Sequence, residues 1–243
     1  MTERRVRIFG IPAALAIAVL FHSFEMGRFL QRTFFSMWLH ELGHAVGAWL
    51  CGRASFPGPW FTPVAAERSW VLAGLAAGLL AFGTWRLRSK ALGAVLALQL
   101  FCTLVLSNTA SEQLFIWAGD AGAMLFGCAL MAAFLVVPGS IRWGLLVIGA
   151  AAFVDVFSVW WAASFDVDAI PFGANEGMGL SDPSRLAEDF GWSDKQVVNR
   201  FLGTGIVAAV ALIAFTGWKV SASFAPDRVP VGGPPDGFDS EGV

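Results

Sequence analysis

The sequence predicts an all-α, polytopic transmembrane helix bundle of six or seven spans, with a short two-helix extramembrane loop near the C-terminus. Three observations lead there. Hydrophobic residues fill 56% of the 243 positions, and the mean hydropathy is +0.65. Charged residues make up only 14%, where soluble domains carry about 25%. The charges are also clustered: from Ala91 to Ser164 only Glu112, Asp120, Arg142 and Asp155 are charged, which leaves apolar runs close to the ~20 residues that cross a bilayer. The 22 Phe and 11 Trp exclude a disordered chain for the bulk. A net charge of −2 lacks the basic footprint of nucleic-acid binding. Cys51, Cys102 and Cys128 sit in or beside apolar runs without metal-ligand spacing, so they read as buried small residues.

Seven runs qualify as spans: Ile8–Phe24, Thr33–Cys51, Trp70–Trp85, Ala91–Leu106, Leu114–Val137, Trp143–Ala163 and Leu202–Trp218. The first follows Arg4, Arg5 and Arg7 as a signal peptide would, but Phe21-His-Ser-Phe-Glu-Met26 replaces a small-x-small cleavage site, so it is a retained span. Its His22 and Glu25, three residues apart, are expected to pair at the interface. The basic stretch Arg86-Leu-Arg-Ser-Lys90 separates the third and fourth spans, and Gly74 and Gly78 put a small-xxx-small pair on the third. Asn108 closes the fourth as a polar helix end facing water. Residues 1–222 then form a single transmembrane domain. Its polar loop, 165–200, carries two helix starts. Asp182-Pro183 reads as an N-cap with proline at the first helical position, and Ser193-Asp-Lys-Gln196 as a capping box. The Pro/Gly/Asp-rich tail, 223–243, reads as disordered. Lys and Arg divide evenly between the two sides of a seven-span arrangement, so the positive-inside rule sets no orientation.

The second span contains His40-Glu41-Leu42-Gly43-His44, the H-E-x-x-H pattern. On a helix, positions i and i+4 share a face with Cβ atoms about 5–6 Å apart, so both imidazoles can reach one Zn²⁺ at about 2.0–2.1 Å. Glu41, beside the first ligand, can take a proton from a water activated there. The chain has only three His, and two of them lie in this pattern. Ionisable groups at membrane depth are costly and functional by default.

The third ligand is a carboxylate from elsewhere in the chain. No His follows His44, which excludes a metzincin site, and Glu67 lies in a loop-like, Pro-containing stretch. Asp120, in Trp117-Ala-Gly-Asp-Ala-Gly122 of the fifth span, is the favoured metal ligand, because a lone carboxylate in an apolar run needs a cation or donors. Asp155, in the sixth span, is the competitor. Glu112, near a span end, can reach water.

A zinc H-E-x-x-H inside a membrane span, with an Asp ligand from a later one, resembles the site-2 protease family of intramembrane metalloproteases. The resemblance covers His40 to Asp120. It implies zinc ligands at His40, His44 and Asp120, a general base at Glu41, Zn²⁺ as cofactor, and a membrane protein or membrane-adjacent peptide as substrate. The second motif departs from the family's Asn-Pro-Asp-Gly or Leu-Asp-Gly, reading Gly-Asp-Ala-Gly here. The expected function is a zinc metalloendopeptidase in a lipid bilayer with no nucleic-acid partner. The alternative is a non-hydrolytic zinc-binding membrane protein with a transport, assembly or scaffold role.

Overall fold

In a bilayer every backbone N–H and C=O must be satisfied within the protein, so apolar runs become helices. The computed structural model describes residues 3–175 and 179–222, and the tail expected to be disordered lies outside the described residues. In chain order the elements are α1 (Glu3–His22), α2 (Glu25–Gln31), a π-helical turn (Arg32–Ser36), α3 (Met37–Leu50), β1 (Arg53–Ser55), β2 (Val64–Arg68), α4 (Trp70–Leu87), α5 (Lys90–Leu104), α6 (Asn108–Ala133), α7 (Ile141–Ala163), a 3₁₀ turn (Val167–Ala169), β3 (Ala174–Asn175), β4 (Gly179–Leu180), α8 (Asp182–Glu188) and α9 (Asp194–Ala222).

Among the described residues, five helices are long and apolar enough to cross a membrane: α1, α4, α6, α7 and α9. That number is lower than the six or seven spans expected. The difference lies in two places. Helix α5 has 15 residues, about 22 Å at 1.5 Å per residue, short of the ~30 Å hydrocarbon core. The expected Thr33–Cys51 span is composite: α2, the π turn and α3 follow one another from Glu25 to Leu50, and only the last 14 residues carry the His-Glu-x-x-His segment as α-helix.

The helical class also acquires two small antiparallel hairpins, β1–β2 and β3–β4. The first is fixed by two arginines, Arg53 buried and Arg68 half-buried. Arg53 donates from Nε to the Ser111 hydroxyl (3.2 Å), from Nη1 to the Ala65 and Ala66 carbonyls and from Nη2 to the Asn108 carbonyl. Arg68 donates to the carbonyls of Thr103, Leu106 and Ser107 in the turn between α5 and α6. The buried Arg53 guanidinium is tolerated because all three of its nitrogens donate, whereas Arg68 uses only its two Nη atoms and its Nε has no partner among the described residues.

In the 165–200 loop, one of the two expected short helices forms, as α8. The other start opens the last long helix instead. Ser193 and Gln196 make both halves of a capping box, with the Ser193 N–H donating to Gln196 Oε1 (2.9 Å) and the Gln196 N–H to Ser193 Oγ (3.4 Å), and α9 runs on from there. The cap of α8 is Ser181, whose hydroxyl accepts from the Ser184 N–H. Asp182 is therefore the first helical residue and not the cap.

Helix α6 is the hub, packed chiefly on α3, α7 and α9, and α1 packs mainly on α7. Glycines set how close α3 and α6 come. A Cβ on Gly43 would lie 2.0 Å from the Ala118 carbonyl oxygen, one on Gly47 2.9 Å from Phe115 Cα, and one on Gly122 2.6 Å from Gly43 Cα. Gly74 and Gly78 on α4 face open space, so that small-xxx-small pair packs nothing within the described residues.

Candidate metal centre

His40 and His44 stand one turn apart on α3, as their spacing predicts, with ring centroids 4.6 Å apart and the rings edge-on at 88°. Their Nε2 atoms are 3.0 Å apart. Asp182 Oδ2, at the start of α8, lies 3.0 Å from His44 Nε2 and 3.3 Å from His40 Nε2. These three form a group that could hold a metal ion. Tetrahedral ligands at 2.0–2.1 Å from zinc are separated by about 3.3–3.4 Å, so the triangle has the size such an ion requires.

The opposite ring nitrogens are tied. His44 Nδ1 lies 2.7 Å from the Phe115 carbonyl oxygen. A carbonyl can only accept, so Nδ1 carries the hydrogen and, in the neutral ring, Nε2 presents a lone pair. His40 Nδ1 lies 2.8 Å from Asp120 Oδ1, and Asp120 Oδ2 accepts from Trp160 Nε1–H at 2.9 Å. The Trp160 ring stacks on Phe201 of α9, with centroids 4.1 Å apart. Four helices thereby set the direction of one imidazole, in the carboxylate–histidine arrangement usual behind a metal ligand.

Asp120, the expected third ligand, lies against His40 but outside the group of His40, His44 and Asp182 that could hold a metal ion. Its carboxylate meets His40 at Nδ1, the nitrogen turned away from the Nε2 pair, and its other oxygen is taken by an indole. Asp155 is not at the site either. It accepts from the Ser36 hydroxyl and from Arg32 Nη1 (3.4 Å), with His22 Nδ1 at 3.9 Å, and so fastens the π turn to α7. His22 bonds Gln31 (3.0 Å), where pairing with Glu25 was expected. Glu112 lies 4.0 Å from Arg53, and Glu67 is exposed on β2. Asn108 is the first residue of α6, and its carbonyl serves Arg53 and Ser111.

Asp182 was missed because Asp-Pro at a helix start reads as a cap. The signal that could have found it is Ser181, one place earlier. With the serine as cap, the aspartate carboxylate is released for another partner. Burial pushes the Asp182 carboxyl up, but His44 and His40 beside it outweigh burial and hold it below the ordinary carboxylate range.

Glu41 is buried, and its carboxylate has no hydrogen bond or ion pair among the described residues. It lines a cavity of about 420 Å³ together with His40, His44, Arg32, Phe61 and Asp182. Thr62 donates to the Glu41 backbone carbonyl (3.0 Å), which holds the loop between β1 and β2 over this space. Gly119 leaves room for the rings: a Cβ there would lie 2.6 Å from His44 Nε2 and 2.7 Å from His40 Cε1. Both rings are pinned at Nδ1 and cannot swing away without losing a hydrogen bond. Gly119→Ala is therefore expected to abolish stoichiometric zinc in the purified protein while helical circular dichroism persists. Gly78→Ala, which faces open space, is expected to keep the metal. Equal zinc in the two variants, measured by elemental analysis, would show that the rings relax.

Comparison with protein-family models, curated proteins and solved structures finds no match.

Proposed function

We propose that this chain is a membrane-embedded zinc metallopeptidase similar in kind to the site-2 proteases, hydrolysing a peptide bond of a membrane or membrane-adjacent protein. One observation carries the reading. With both rings neutral and their hydrogen on Nδ1, two imidazole lone pairs and a carboxylate oxygen converge within 3.0–3.3 Å. Three acceptors repel one another unless a cation sits between them. His40, His44 and Asp182 would hold zinc, three protein ligands being the number used at catalytic zinc sites. Zinc bound there supplies Lewis acidity that polarises a carbonyl and lowers the pKa of water to about 7.

The remaining chemistry belongs to the chain. Glu41 follows His40 directly and is the general base, accepting at its free carboxylate the proton of the attacking water and passing it to the leaving amine. Asp120 and the Phe115 carbonyl keep both Nδ1 hydrogens in place, so the Nε2 lone pairs stay aimed at the site. Trp160 holds Asp120 in turn. Phe61, Thr62 and the segment leading into α8 line the cavity beside these residues.

The deciding experiment is elemental analysis of the detergent-purified full chain. About one zinc per wild-type chain is expected, and none in His44→Ala. Wild-type protein refolded with excess zinc and still holding well under one equivalent would overturn the reading.

A further inference from the structure

A second cavity, of about 680 Å³, lies on another face of α6, between that helix and α9. Its size is in the range of built ligand sites, about 300–1,000 Å³. The lining is mostly apolar, including Leu114, Trp117, Trp192, Gly203 and Val207, and Arg200 is its one charged residue. Arg200 stacks over the Trp192 ring at 4.0 Å and has no carboxylate partner among the described residues. Two further polar groups of the lining have no hydrogen-bond partner among the described residues: the Trp117 indole N–H, which is buried, and the Gln113 amide.

The depth of Arg200 follows from α9 itself. No charge occurs between Arg200 and Lys219. Those nineteen steps rise about 29 Å, close to the ~30 Å hydrocarbon core. Lys219 also stacks on a tryptophan, with Nζ 4.8 Å from the Trp218 ring centroid. A cation with an aromatic at each end is how a helix meets the two headgroup layers. From Arg200 to Val207 the groove descends about 10 Å along α9, inside one leaflet.

We propose that this groove is a binding site for one anionic phospholipid, with its phosphate on Arg200 and an acyl chain along α6 and α9. Charge complementarity selects the occupant. The single cation lacks an anion, the indole and amide can donate to phosphate or ester oxygens, and the remaining lining is apolar. A transmembrane helix of a partner would fill the apolar length but would leave the guanidinium unpaired. The site does not depend on the zinc reading.

The test is native mass spectrometry of the full chain in detergent, titrated with dioleoyl phosphatidylglycerol or dioleoyl phosphatidylcholine. The first phosphatidylglycerol is expected to bind about fivefold to tenfold tighter than the first phosphatidylcholine. Arg200→Gln is expected to erase that difference. Gly203→Leu is expected to weaken the first binding of both lipids, and it should fold, because a Cβ at Gly203 meets nothing within 4 Å. Equal retention of the two lipids by wild type, unchanged in Arg200→Gln, would mark them as ordinary annular lipid and overturn the proposal. Displacement of both lipids by a neutral polyleucine helix, independent of Arg200, would assign the groove to a protein partner and overturn it as well.

Discussion

Glu41→Gln is expected to leave zinc at its wild-type stoichiometry and to lower peptide hydrolysis by about 10²–10⁴-fold, the usual contribution of a positioned general base. The substitution keeps the size of the side chain and removes only its ability to take a proton. The Glu41 carboxylate makes no hydrogen bond or ion pair among the described residues, so the amide leaves no partner stranded and the fold should be indifferent to it. The measurement is turnover of a reporter substrate beside zinc content of the same preparation. A variant that keeps zinc and also keeps activity would sink the peptidase reading. It would favour a protein that binds zinc without hydrolysis, since a binder has no use for a carboxylate beside its first ligand.

The placing of Glu41 relative to the two histidines is legible in the sequence. The i, i+4 spacing of His40 and His44 fixes their shared face by helix geometry alone, and Glu41 falls off that face by about 100°. The apolar runs likewise place most of the helices. Sequence periodicity does not reveal where a helix changes its winding. The π turn at Arg32–Ser36 puts both of those side chains on Asp155, which turned an apparent intramembrane ligand candidate into an anchor for the helix that bears the histidines. The hairpin β1–β2 was equally hidden. Its two short strands are held by Arg53 and Arg68 reaching carbonyls from residue 65 to residue 108, contacts that no local pattern announces.

The carboxylates divided for a similar reason. Asp120 looked like a ligand because an aspartate in an apolar run needs a partner, and that inference holds: it has two, the His40 ring and the Trp160 indole. What burial alone could not distinguish is which nitrogen of the imidazole it meets. The glycines around it had a legible purpose, close backbone approach, and Gly119 and Gly122 serve it against α3. Asp182 lies on the other side of the same pair of rings and comes from a loop whose sequence looks like an ordinary helix start.

That division predicts unequal losses. Asp182→Ala removes one of three protein donors. Structural zinc sites with four ligands are worth about 10–16 kcal/mol, or roughly 3 kcal/mol per ligand, so zinc affinity is expected to fall by more than about 100-fold. Asp120→Asn keeps the shape and still accepts at its amide oxygen, losing charge but not position, so its affinity is expected to fall only about 10–100-fold. The two also differ in character. Asp182 sits on a short helix capped independently by Ser181, so in zinc-free protein its removal should leave the thermal unfolding of the bundle nearly unchanged. Asp120 links α3 to α7 through His40 and Trp160, so its replacement should lower the unfolding temperature as well. Competition with a chelator of known zinc affinity gives the first comparison and thermal circular dichroism the second. If Asp120→Asn loses zinc more completely than Asp182→Ala, the carboxylates exchange places, with Asp120 the ligand and Asp182 only a neighbour that crowds the site when the metal is absent.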